Sequence, residues 1–118
     1  MYETENDISE KRRSELNALM NQRLASVVDL QTQMKQAHWN VKGPSFIGLH
    51  ELFDKVDEAV ESYVDMIAER IVQLGGVAEG TARVAASRSQ LNIFYRLWPN
   101  LKAAPPGSKP QKMVVELA

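Results

Sequence analysis

The chain has two histidines, His38, which stands alone, and His50, which lies near a carboxylate at a spacing that suits a metal site. His50 precedes Asp54 by four residues, and Asp65 precedes Glu69 by four, so in a helix each pair would lie on one face. Imidazole and carboxylate together form a donor set suited to iron, manganese or zinc. The spacing of His50, Asp54, Asp65 and Glu69 therefore predicts a metal-binding site.

A single helix cannot bring all of these groups together. A rise of about 1.5 Å per residue would separate His50 from Asp65 by roughly 22 Å. The pairs 50/69 and 54/65 share one midpoint along the sequence, so two antiparallel copies of the helix would place His50 and Asp54 of one copy against the two later carboxylates of the other. A two-fold axis would then create two identical sites, each shared between chains.

Two long helices are predicted to position these residues. Apolar residues recur from Leu16 to Ala37 at the spacing of an amphipathic helix, and His38 continues their stripe one turn after Met34. Gly43-Pro44 is typical of the end of such a helix. The sequence therefore places His38 in the last part of the first helix.

The second predicted helix covers residues 46–74, with Ser45 placed to cap its start and Gly75-Gly76 to end it. One side is apolar, and the other carries a row of carboxylates with one histidine: His50, Asp54, Asp57, Glu58, Glu61, Asp65 and Glu69. The short turn between the two helices predicts an antiparallel hairpin. Residues 77–87 are compatible with irregular chain or with one short helix.

The carboxylate face has a plain alternative, since the outer face of any amphipathic helix is charged. Against it, Lys55 is the only basic residue between His50 and Glu69, so the like charges repel one another unless a cation lies on them. His38, taken alone beside Trp39, is more typical of a core histidine than of a metal ligand. From the residues alone, both interpretations stay open.

The composition suits one small domain: 118 residues, of which 44% are hydrophobic and 25% charged. A net charge of −1 gives no general attraction to nucleic acid, and the absence of cysteine excludes disulfides and thiolate zinc sites. No apolar run reaches membrane-spanning length, and the acidic N-terminus does not resemble a signal peptide, so we expect a cytoplasmic protein. Residues 1–13 are predicted to form a mobile arm, residues 14–91 a helical region, and residues 92–118 an irregular tail.

Three runs of the sequence, residues 30–46, 49–54 and 68–76, resemble the Dps family of mini-ferritins, the DNA-binding proteins from starved cells. The resemblance covers about residues 16–91, and its most specific elements are His38-Trp39-Asn40 and the spacing of His50 and Asp54. It implies an all-α, ferritin-like helical bundle that assembles into a dodecameric shell.

The resemblance also implies a ferroxidase site at a dimer interface. By motif position, one subunit supplies His38, His50 and Asp54, and its two-fold mate supplies Asp65 and Glu69. Iron binds there as Fe(II), is oxidised with hydrogen peroxide as the favoured oxidant, and is stored as Fe(III) mineral. Because peroxide and Fe(II) are consumed together, hydroxyl radicals do not form and DNA is protected.

The resemblance ends after Leu91, where members of the family continue into two further long helices. Residues 92–118 resemble nothing in that part, so we expect a truncated or frame-shifted chain in which only the first helical hairpin of the bundle is evident. Ferroxidase activity then depends on whether the dimer-interface site assembles. Two alternatives stay open: a non-enzymatic, nucleoid-associated protein that coats DNA without sequence preference, and an inactive remnant that self-associates through its apolar faces. No membrane partner is expected.

Overall fold

The computed structural model describes residues 1–91 and contains three helices in that range: α1 (Glu10–Asn40), α2 (Phe46–Gln73) and α3 (Ala82–Arg88). No strand is present among these residues, so the prediction of an all-α chain with two long helices is confirmed. The irregular tail predicted for residues 92–118 lies outside the described residues.

Helix α1 begins earlier than the apolar pattern predicts. The hydroxyl of Ser9 accepts a hydrogen bond from the backbone N–H of Arg12 (3.4 Å), which satisfies one of the free donors at the start of the helix. Residues 10–13, expected to belong to the arm, therefore form the first turn of α1. Helix α1 ends at Asn40, and Val41 has extended backbone angles.

The turn between α1 and α2 depends on a glycine. Gly43 has φ of +115°, a value that residues with a side chain rarely adopt, and its carbonyl oxygen accepts from the N–H of Phe46 (3.1 Å). Ser45 is the N-cap residue of α2, but its hydroxyl makes no capping hydrogen bond, so that part of the prediction is wrong. The turn reverses the chain and makes α1 and α2 antiparallel.

The far end of the hairpin is held by Arg13, which is 8% exposed. Its guanidinium donates to the carbonyl oxygens of Leu74 (3.2 Å), Ile8 (3.1 Å) and Tyr2 (3.5 Å). The N–H of Tyr2 donates to the carbonyl oxygen of Gly75 (2.8 Å). The first residues of the chain therefore lie against the C-terminal end of α2, where carbonyl groups lack partners within the helix.

The core lies between α1 and α2 and consists mainly of aliphatic side chains around Phe53. The buried apolar residues of the two long helices are Leu24, Ala25, Met34, Ala37, Phe53, Val60 and Ile71. Residues 77–91 pack on α1: the hydroxyl of Ser89 donates to Asp29 (2.6 Å), and the side chain of Asn21 bonds the backbone at Val77 (3.0 Å) and Glu79 (2.9 Å). The sequence left open whether residues 77–87 are irregular or helical; the chain is irregular before Ala82 and then forms α3.

Candidate metal centre

The hairpin brings His38 and His50 into direct contact. His38 lies in the last turn of α1 and His50 in the first part of α2, and the turn at Gly43 returns the chain so that the two rings stack. The ring centroids are 3.6 Å apart and the ring planes differ by 20°. Both side chains are partly buried.

Each imidazole is held by the backbone of the other histidine. Nδ1 of His38 lies 2.6 Å from the carbonyl oxygen of His50, and Nδ1 of His50 lies 2.8 Å from the carbonyl oxygen of His38. Because a carbonyl oxygen only accepts, each Nδ1 carries the proton and donates. In a neutral imidazole this leaves the lone pair on Nε2, which is the arrangement found for metal-binding histidines with a carbonyl on the other nitrogen.

Asp54 lies beside this pair of histidines. Its Oδ1 is 4.0 Å from Nε2 of His38 and 2.7 Å from Nζ of Lys35, and Lys35 also lies 3.9 Å from Oδ2 of Asp57. The hydrogen bond from Lys35 holds the pKa of Asp54 below its usual range, and the nearby charge of Lys35 acts in the same direction. Asp54 is therefore an ionised carboxylate at neutral pH, suited to bind a cation.

Lys35 is the part of the site that the sequence analysis missed. It lies three residues before His38 and so on a neighbouring position of the same helix surface, which is the signal that would have found it. The hydrogen bond to Asp54 raises the pKa of Lys35, so its ammonium remains charged. A metal ion that binds Asp54 must displace this ammonium or share the carboxylate with it.

Asp65 and Glu69 are not brought to the histidines within the chain. Both side chains are exposed on α2. At about 1.5 Å per residue they lie roughly 16 and 22 Å along the helix from Asp54. Glu69 borders an open groove that also contains Met20 and Tyr63.

Among residues 1–91, no group of three or more histidine, aspartate or glutamate side chains is arranged to hold a metal ion. His38, His50 and Asp54 lie close together but do not by themselves form a complete metal site within one chain, and Asp65 and Glu69 lie elsewhere on its surface.

An open groove of about 720 Å³ runs beside this centre on the surface shared by α1 and α2. Lys35, Asp57, Glu61 and Trp39 are among the residues that line it, and Trp39 is 68% exposed. Lys35 both lines the groove and bonds Asp54, so the groove adjoins the centre. In the described part of the chain, no helix is long and apolar enough to cross a membrane.

Comparison with known proteins places the whole hairpin among ferritin-like chains. The sequence model of the ferritin-like domain family matches residues 17–114 and so continues past Leu91, where the sequence resemblance ends. The DNA protection during starvation protein of Agrobacterium fabrum is 41% identical over 106 residues, which cover 86% of this chain and 65% of that protein. The protein of the same name from Mycolicibacterium smegmatis is 43% identical over 74 residues, covering 63% of this chain and 40% of its relative.

Solved structures similar to this chain have the same ferritin-like fold. A tetragonal crystal form of Mycobacterium smegmatis Dps has a TM-score of 0.74 at 35% identity and covers 79% of this chain and 56% of its own. DpsA14 from Streptomyces coelicolor has a TM-score of 0.74 at 30% identity and covers 98% of this chain and 69% of its own. The chain spans less than two thirds of the length of either curated relative.

Proposed function

The chain belongs to the Dps family of ferritin-like proteins, and from this premise we propose that it binds Fe(II) as a substrate at a site shared by two copies of the chain. Fe(II) is oxidised there, with hydrogen peroxide as the favoured oxidant, and Fe(III) is stored. The protein thereby protects DNA from oxidative damage. The cytoplasmic location remains a prediction from the sequence.

The observation that carries this proposal is the reciprocal pair of histidines beside Asp54. With both Nδ1 atoms donating to carbonyl oxygens, both Nε2 atoms are free to bind a divalent ion. A core histidine would need neither a matched partner nor an ionised carboxylate within 4.0 Å. The chemistry of these donors suits Fe(II), which accepts both imidazole and carboxylate ligands.

The remaining ligands come from a second copy. Asp65 and Glu69 are exposed on the same helix as Asp54, one helical turn apart, and no residue described in the structure covers them with a charged partner. An antiparallel contact between the α2 helices of two copies would bring them to the histidines of the mate. We therefore propose a homo-oligomer whose smallest working unit is a two-fold dimer.

Exposed apolar side chains support self-association. On α2, Ile47 and Met66 are each 64% exposed and Tyr63 is 58% exposed, while Leu19 on α1 is 49% exposed. Apolar residues spread along both helices of a hairpin are typical of a subunit whose faces are covered by other helices.

The ligand set also favours oxidation of the bound iron. Carboxylates stabilise Fe(III) more than Fe(II), so binding to them makes oxidation more favourable. Each hydrogen peroxide accepts two electrons and two protons and yields two waters, so two Fe(II) ions are oxidised for each peroxide consumed. Lys35 donates to Oδ1 of Asp54, so an ion that takes this oxygen competes with the ammonium.

DNA coating receives less support than iron oxidation. In the basic run at the start of α1, only Lys11 and Arg12 are exposed, since Arg13 is buried and bonded to carbonyl oxygens. Fewer charges are thus available to phosphates than the sequence suggests.

The test is Fe(II) oxidation by the full-length protein, with peroxide added after anaerobic loading and with sizing by ultracentrifugation. We expect saturable oxidation by an even-numbered oligomer, lost in His50→Ala and Asp54→Asn and retained in Glu58→Gln, which removes a carboxylate one turn further along α2. Glu69→Gln should lose activity only if the site is shared. A monomer or aggregate that oxidises Fe(II) no faster than buffer would identify the chain as an inactive remnant.

A further inference from the structure

The imidazole of His50 stacks with two other rings. One face of its imidazole stacks on His38, and Phe46 stacks on it as well, with ring centroids 4.9 Å apart and planes that differ by 28°. Phe46 is the first residue of α2 and precedes His50 by four residues, so the two side chains meet on one helix face.

The turn that precedes α2 determines the position of Phe46. The N–H of Phe46 donates to the carbonyl oxygen of Gly43 (3.1 Å), and Gly43 has the positive φ that this turn needs. Phe46 remains 40% exposed, so burial of its ring explains its presence only in part. Its contact with His50 is the more specific feature.

A hydrogen bond alone does not fix an imidazole. The bond from Nδ1 of His50 to the carbonyl oxygen of His38 sets the tautomer, but the ring can still tilt about the axis of that bond. Stacked rings on its faces oppose such a tilt, because offset aromatic packing is favourable only within a narrow range of ring angles. The direction of Nε2 is then fixed before any ion arrives.

We propose that Phe46 is a positioning residue for the metal centre, which holds the His50 ring in the orientation that presents Nε2 to a divalent cation. This inference rests on the proposed function, since it deepens the account of how the same site recognises its ion. Phe46 itself touches neither ion nor oxidant.

The expected effect of removing the ring is a loss of metal affinity. Groups that orient a ligating histidine typically contribute a factor of about 10–100 in affinity. In Phe46→Leu the hydrogen bond to the carbonyl oxygen remains, so we expect the low end of that range, about a tenfold weaker binding. Phe46→Tyr keeps the ring and should restore binding.

The experiment is a titration of the full-length protein with Co(II), whose visible absorption reports the coordination of the ion without redox chemistry. Phe46→Leu, Phe46→Tyr and His50→Ala are compared with wild type. Tyr2→Leu is the matched control, since it removes a 70% exposed ring at the other end of the hairpin and leaves the backbone hydrogen bonds of that residue in place. Thermal unfolding and sizing are recorded for every variant.

Weaker Co(II) binding and an altered spectrum in Phe46→Leu, with wild-type behaviour in Phe46→Tyr and Tyr2→Leu, would support the positioning role. Wild-type affinity in Phe46→Leu while His50→Ala loses binding would overturn it and leave the proposed function standing. An equal loss in Tyr2→Leu would also overturn it, because the effect would then be general destabilisation. Absence of saturable Co(II) binding in the wild type would overturn both proposals.

Discussion

Gly75 offers a quantitative test of how the first residues of the chain pack. It has φ of +82°, and a Cβ added there would lie 2.6 Å from the carbonyl oxygen of Tyr2 and 2.8 Å from Nη1 of Arg13. Gly75→Ala therefore has two separate costs. The left-handed backbone costs about 1–2 kcal/mol, and displacing Tyr2 breaks its backbone hydrogen bond, worth about 0.5–1.5 kcal/mol. We expect a total loss of about 1.5–3.5 kcal/mol of unfolding free energy.

Alanine substitutions at two other glycines test these two costs separately. Gly43 has φ of +115° with nothing within 4 Å of an added Cβ, so Gly43→Ala should lose only the conformational part, about 1–2 kcal/mol. Gly80 has no positive φ, and its Cβ would meet the side chain of Leu24 at 3.5 Å, an ordinary contact. Gly80→Ala should therefore change the unfolding free energy by less than about 0.5 kcal/mol.

The assay is urea unfolding followed by far-UV circular dichroism, at one protein concentration because association changes apparent stability. The result that refutes the packing is an equal loss in Gly75→Ala and Gly43→Ala. Tyr2 would then not contact Gly75 in solution, and the mobile arm predicted from the sequence would be correct. A loss in Gly80→Ala as large as in the other two would refute the conformational reasoning itself.

The ion pair of Lys35 and Asp54 gives two further predictions. Lys35→Met removes the ammonium that competes for Asp54, so Co(II) binding should become tighter. Lys55→Met, on an exposed lysine outside the ion pair, should leave the affinity unchanged. A weaker affinity in Lys35→Met would show that Lys35 assists binding of the ion. The pKa of Asp54 is lowered from 3.8 and that of Lys35 raised from 10.5, so the stability that the pair contributes is present between these values. This stability is lost as pH falls through the lowered pKa of Asp54 or rises through the raised pKa of Lys35. The difference in unfolding free energy between wild type and Lys35→Met, measured across this pH range, reports it. A difference that is largest outside this range would contradict the contribution of the ion pair.

The fold was largely predictable because α2 has a strong apolar periodicity and apolar residues recur at helical spacing, though less distinctly, in α1. The predicted end of α2 at residue 74 differs by one position from the observed end at Gln73. The grouping of His38 with His50 was implied by the family resemblance and not by the residue spacing. In the structure, the short turn between two antiparallel helices brings the two rings together.

The contacts that escaped prediction depend on partners far away in the sequence. Arg13 belongs to a charged run and is typical of a solvent-exposed helix surface, yet it bonds a carbonyl 61 residues later. No local sequence pattern indicates a hydrogen bond to the free carbonyl oxygens at the end of another helix. Lys35 escaped for a related reason, since a lysine on an amphipathic helix is ordinarily solvated and its partner Asp54 lies on the other helix.

The division of the ligands has a thermodynamic consequence if the site is shared as we propose. Each chain alone presents two imidazoles and Asp54, so an isolated subunit should hold a divalent ion weakly. A second copy adds two carboxylates, and the ion then binds the pair more tightly than the single chain. Because linkage is reciprocal, the ion must favour the dimer by the same factor by which the dimer favours the ion. Iron would then be both the substrate and a ligand that promotes assembly of its own site, which explains why a subunit can keep the paired carboxylates of one site on its exposed surface, far from the histidines.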